Sequence, residues 1–139
     1  IEAQLQHSID ASVSYVIPAD FEFLKRSGRL TPIAAKLSSM IKIVPVMTQT
    51  EDKKRITLFS IKRSWKKAVE AITEHLKKIG VNEEYRIFVC HGGDLQAAES
   101  VYAQISSVFE DVDMELMSLS PTMITHGGPG CVLVQAIKK

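Results

Sequence analysis

Residues 43–61 read IVPVMTQTEDKKRITLFSI. Two strand-like runs, Ile43 to Thr48 and Arg55 to Ile61, flank the charged turn Glu51-Asp52-Lys53-Lys54. A short polar turn between two such runs predicts an antiparallel hairpin. That hairpin excludes a purely parallel sheet, whose neighbouring strands need long crossover connections. Downstream the pattern changes. Ser64 caps a helix in which Trp65, Ala68, Val69, Ile72, Leu76 and Ile79 keep the 3.6-residue period, and Gly80 ends it. Tyr85 to Cys90 is an apolar run of buried-strand length. Asp94 caps a second periodic helix running from Leu95 to Val108, and Asp113 to Leu119 and Cys131 to Ile137 are further strands. Ser120-Pro121 opens a short turn. Upstream, residues 1–10 read as helix, and Ser12 to Ile17 as a short strand ending at Pro18. Ala19 to Arg26 is a short helix stopped by Ser27-Gly28. Thr31-Pro32 opens another, with Ile33, Leu37, Met40 and Ile41 on one face. The expected class is α/β (α+β): a two-layer lobe with a mixed sheet of about six strands and helices packed mainly on one face.

The 139 residues suit a single domain with its own core. Apolar residues make up 45% and charged residues 24%, with a net charge of +1, so nothing in the overall charge drives binding to nucleic acid or to an anionic membrane. No apolar run approaches the roughly 18 residues of a membrane span, and no leader pattern opens the chain. Two cysteines are too few for a disulfide framework, so a cytoplasmic, reduced protein is expected. The chain opens on Ile1 inside an apolar stripe of Ile1, Leu5 and Ile9 with no capping residue before it. This predicts that residues 1–139 are a piece of a longer chain; a processed or trimmed terminus is the alternative.

Several segments are candidates for chemistry. The loop His126-Gly127-Gly128-Pro129-Gly130 has an unusual backbone path, and glycine lets a ligand approach the main chain closely. A histidine there can donate to an oxyanion such as a carboxylate; the alternative is a glycine-rich turn with an exposed histidine. His91-Gly92-Gly93-Asp94 joins a strand to a helix, a place where an anion can bind, but it lacks the full dinucleotide fingerprint. A tight turn is the alternative, and no cofactor is expected. Cys90 and His91 are adjacent, so on a strand they face opposite ways; a thiol–imidazole pair would need the distant His126. An enzyme acting on a small substrate through Cys90 and His126 stays open as a rival reading, against a buried structural cysteine. Cys90, His91, His126 and Cys131 match no familiar zinc spacing. Arg29 follows a glycine turn. Lys62, Arg63, Lys66 and Lys67 cluster at the start of the Trp65 helix, where positive charge is locally unfavourable; a basic docking patch and a solvated face are the two readings.

Three segments resemble one family in order along the chain. Phe23-Leu24-Lys25-Arg26-Ser27-Gly28-Arg29-Leu30 is similar to its Tyr-Leu-Lys-x-Gly-Gly-Arg-Ile element. Leu37 to Met47, with Lys42-Ile43-Val44-Pro45-Val46, is similar to its Leu-x-Ile-Lys-Pro-Ile-Leu element. Ser120-Pro121 through Thr125-His126-Gly127-Gly128-Pro129-Gly130 is similar to its closing Pro-x-Ile-x-x-His-x-Gly-Pro-Gly element. The family is DegV, which includes the fatty-acid-binding subunits of bacterial fatty acid kinase. Ser27 stands where the family usually has Gly, and Gly127 where Thr is common.

The resemblance implies the C-terminal lobe of a two-lobe, non-catalytic carrier of a long-chain fatty acid. It implies that the lipid lies between the lobes and that His126, with Gly127, Gly128 and Gly130 shaping the loop, holds its carboxylate. It further implies that Arg29 and Arg63 dock a separate, dihydroxyacetone-kinase-like fatty acid kinase subunit, which carries out the phosphoryl transfer. Neither a metal nor nucleic acid enters this picture, and membrane contact is at most transient.

Overall fold

The computed structural model describes residues 1–26, 28, 30–32 and 43–139. Its strands are β1 (Val13–Ile17), β2 (Val44–Gln49), β3 (Ile56–Lys62), β4 (Tyr85–His91), β5 (Asp113–Ser118) and β6 (Val132–Lys138). Its helices are α1 (Glu2–Asp10), α2 (Phe21–Arg26), α3 (Trp65–Lys78), α4 (Leu95–Ser106) and α5 (Pro121–Gly127). The six strands form one sheet in the order β3-β2-β1-β6-β4-β5. Only β4 and β5 run parallel, joined by α4; the other pairings are antiparallel. The hairpin read from residues 43–61 is β2–β3, with its register shifted at Val46/Met47. Lys53 turns the hairpin at a positive φ of 58°.

Alternation along the strands gives the sheet two faces. Tyr15, Ile17, Val46, Ile87, Val89, Val132, Val134 and Ala136 point to one face. There they pack with Ala68, Val69, Ile72 and Leu76 of α3 and Ala98, Val101 and Ile105 of α4. This is the main core, and it accounts for the periodicity of both long helices. Truncating Ile72, which is fully buried, to alanine would cost about 2–5 kcal/mol. Ser64 caps α3 by accepting from the Lys67 amide, and Asp94 caps α4 by accepting from the Ala97 amide. A smaller cluster on the opposite face joins Leu24 of α2, Leu30 and Met47, with Val16, Phe21, Ile56 and Leu58 around it. Helix α1 buries none of its residues. It is fastened at its C-terminal end, where the Lys53 ammonium donates to the Ile9 carbonyl and to the Ser12 carbonyl and hydroxyl.

Most boundaries lie within a residue or two of expectation, and two differences have a local cause. Residues 121–127 form a helix, not a turn: Ser120 accepts from the Met123 amide and Pro121 takes the first helical position. The helix is short because Gly128 leaves it at φ 87° and Pro129 follows. Helix α2 begins at Phe21 instead of Ala19, because Asp20 accepts from the Glu22 and Phe23 amides and so marks the cap. The helix expected from Thr31-Pro32 to Ile41, and Arg29, lie outside the described residues. No helix among those described is long and apolar enough to cross a membrane.

Candidate functional site

Among the described residues, α2 and α5 are the helices that border the second sheet face. A cleft of about 230 Å³ opens beside them. At one end stand His126, Gly127 and Cys131; Leu24, Leu119, Met123, Val16 and Leu133 form apolar walls and floor. The other end is polar, with Ser14, Gln49 and Gln135 below and Lys54 and Arg55 on the hairpin rim.

His126 is placed here by the Ser120 cap, which fixes the start of α5, and by the bond from the Gly128 amide to the Ile124 carbonyl, which fixes its end. Half-buried, the imidazole sits in the last turn of α5 and lines the cleft. Gly128 is needed for two reasons. Its φ of 87° suits glycine, and a Cβ would meet the Phe23 ring of α2 at 3.0 Å.

The two His-Gly-Gly segments, 35 positions apart in the sequence (126 minus 91), meet in space. The Gly92 amide donates to the Cys131 carbonyl, and the Gly130 amide donates to the Gly92 carbonyl, both at 2.9 Å. These bonds continue the β4–β6 ladder beyond the last paired residues, His91 and Val132. The Cys131 sulfur fills the space between the loops, so that a Cβ on Gly92 would lie 3.1 Å from it.

This arrangement weakens the anion-binding reading of residues 91–94. The Gly92 amide is taken by Cys131, the Gly93 amide donates to the Nδ1 of His91, and the Ala97 amide is taken by Asp94. Three of the amides that could cradle an anion are thus already engaged.

Cys90 is buried, and burial followed by the nearby Glu115 carboxylate pushes its thiol pKa up. Burial raises that of Cys131 as well. A nucleophilic thiol needs the opposite shift, so the site does not favour the Cys90/His126 enzyme. Strand register also places Cys90 and His91 on opposite faces. Among the described residues, no three His, Cys, Asp or Glu side chains lie close enough to share a metal ion. Arg63 is exposed just before the α3 cap, on the loop leaving β3.

The cleft floor escaped sequence reasoning. Alternation in β1 and β6 shows that Val16 and Leu133 share one face and Tyr15 and Val134 the other, but both faces carry apolar residues. Only the packing of α3 and α4 decides which one forms the main core.

Fold and site together define an α/β domain with a mixed sheet and a partly apolar cleft on the sheet face opposite α3 and α4, bordered at one end by His126 and Gly127. The family model described as an uncharacterised protein of the DegV family matches residues 1–139, and the chain belongs to that family. A DegV domain-containing protein of Listeria monocytogenes is 33% identical over 123 residues, covering 88% of this chain and 43% of the relative. The crystal structure of a fatty acid binding DegV family protein from Streptococcus agalactiae matches with a TM-score of 0.86 and 25% identity, over 99% of this chain and 48% of that one. The structure of a DegV family protein from Eubacterium eligens loaded with heptadecanoic acid matches with a TM-score of 0.83 and 14% identity, over 99% of this chain and 49% of that one. This chain therefore spans less than half the length of the relatives it matches.

Proposed function

We propose that this domain is one lobe of a fatty-acid carrier, and that it holds a long-chain acyl carboxylate at His126 while a second lobe covers the tail. The observation that carries this reading is the cleft itself: an imidazole at one end, followed by apolar walls from Leu24, Leu119, Met123, Val16 and Leu133. Burying a methylene releases about 0.8 kcal/mol, so an acyl tail supplies the driving force and the carboxylate needs only a few directed donors. The fatty-acid binding of the Streptococcus agalactiae relative supports the ligand class.

The carrier has no chemistry of its own in this reading. It presents the carboxylate to a separate kinase subunit, which docks on Arg29 and Arg63. Arg63 stands exposed beside Lys62 and Lys66, a cationic edge suited to an acidic partner surface. Charge reversal at Arg63 would weaken capture of that subunit.

Native mass spectrometry of the full-length protein tests the ligand. A mass excess of one fatty acid, lost or weakened in His126→Ala, is expected. A ligand-free mass that stays unchanged after incubation with C14–C18 acids would exclude the acyl reading.

A further inference from the structure

The floor of the cleft is banded. Strand register places Cys90, Leu133, Val16 and Met47 in one row across four adjacent strands, β4, β6, β1 and β2. All four side chains are apolar. The next row on the same face, farther from His126, pairs Phe88 with Gln135 and Gln135 with Ser14. A glutamine thus stands near the middle of the sheet and lines the cleft, on the strand that contributes Leu133. Among the described residues, nothing hydrogen-bonds to the Gln135 amide or the Ser14 hydroxyl, and both line the cleft.

A saturated tail laid over this row would strip water from the Gln135 amide and the Ser14 hydroxyl and return no hydrogen bond. An oxygen-bearing chain would return one. For a carboxylate held level with Cys131, at the His126 end of the cleft, the spacing sets where that oxygen belongs. Extended backbone rises about 3.3 Å per residue, so Cys131 and Gln135 lie about 13 Å apart. A staggered chain with C–C bonds of about 1.5 Å advances about 1.25 Å per carbon, which makes this distance about ten carbons.

We infer that Gln135 and Ser14 form a second, polar subsite that selects fatty acids carrying a hydroxyl or keto oxygen near mid-chain over saturated acids of equal length. This rests on the carboxylate lying at His126, as proposed above. The Gln135 amide can both donate and accept, and the Ser14 hydroxyl likewise, so a hydroxyl is matched in either role.

The test is a competition on the full-length protein, read by native mass spectrometry. Octadecanoic acid is mixed with octadecanoic acid hydroxylated at its tenth carbon. The hydroxy acid should be preferred about fivefold or more, the worth of one net hydrogen bond. Gln135→Leu should reverse the preference and Ser14→Ala should reduce it, with thermal melts confirming that both variants fold. Equal binding, a preference for the saturated acid, or an unchanged preference in folded Gln135→Leu would overturn the subsite while leaving the carrier reading in place. Binding of neither acid would overturn the carrier reading and the subsite together.

Discussion

A Cβ built on Gly127 would stand 2.9 Å from the sulfur of Cys131, closer than such atoms approach in proteins. The last residue of α5 and the residue before β6 therefore share one volume, and Cys131 occupies it. Gly127→Ala should gain up to about 1 kcal/mol of helix propensity but lose about 1–3 kcal/mol to overpacking, for a net loss of stability. In a Cys131→Ala background the same change should be neutral or stabilising. Urea unfolding of the four proteins in this cycle reads the coupling directly, and additive effects would show that the two residues do not compete.

His75 of α3 lies against the rings of Tyr15 and Phe59, with its Nδ1 bonded to the Tyr15 hydroxyl. Burial, then Lys78, lowers its pKa below the usual 6.5. The unfolded chain therefore takes up a proton that the folded chain resists. This contribution to stability is complete above pH 6.5 and is lost as pH falls from there toward the folded value. Unfolding measured from pH 8 to 5 should show that decline, and His75→Phe should flatten it. Tyr15 acts at the alkaline end. Burial raises its pKa above 10, so stability should fall as pH rises beyond that value.

Both thiols should resist modification in the native state. Cys90 and Cys131 are buried and their pKa values are raised, so a disulfide reagent at pH 8 should label them slowly and release two equivalents only on unfolding. A fast native phase would restore the thiol enzyme as a contender.

Ser120 caps a helix of 7 residues, too short to be held by its own ladder. Ser120→Ala should cost about 1 kcal/mol and loosen the placement of His126. In the carrier reading, the fatty acid should then be retained more weakly although no side chain of the cleft has changed. Retention equal to wild type would show that the α5 cap does not position the head group.

Much of the fold was legible from local patterns. The hairpin at residues 43–61, the α3 period from Trp65 to Ile79 and the cap at Asp94 each depend on neighbours a few residues away. Helix α5 was misread because Ser120-Pro121 signals a turn and a helix start equally well, and the glycines follow within two turns. At the site, His126 could be named because its loop composition is unusual. Its companions could not. Cys131 matters through its contact with Gly92 and Gly127, and Gln135 through its place on the face opposite α3 and α4. Those relationships follow from strand order, which no local pattern encodes.

The bonds joining Gly92, Cys131 and Gly130 bear on the thermodynamics of recognition. They tie the His126 loop to the centre of the sheet, so its disorder is removed when the chain folds. In the carrier reading, a carboxylate arriving at His126 meets a loop that is already set, and little ordering entropy remains to oppose capture. The amides of Gly92 and Gly130 should accordingly exchange with solvent at rates closer to those of β4 and β6 than to those of an ordinary glycine turn.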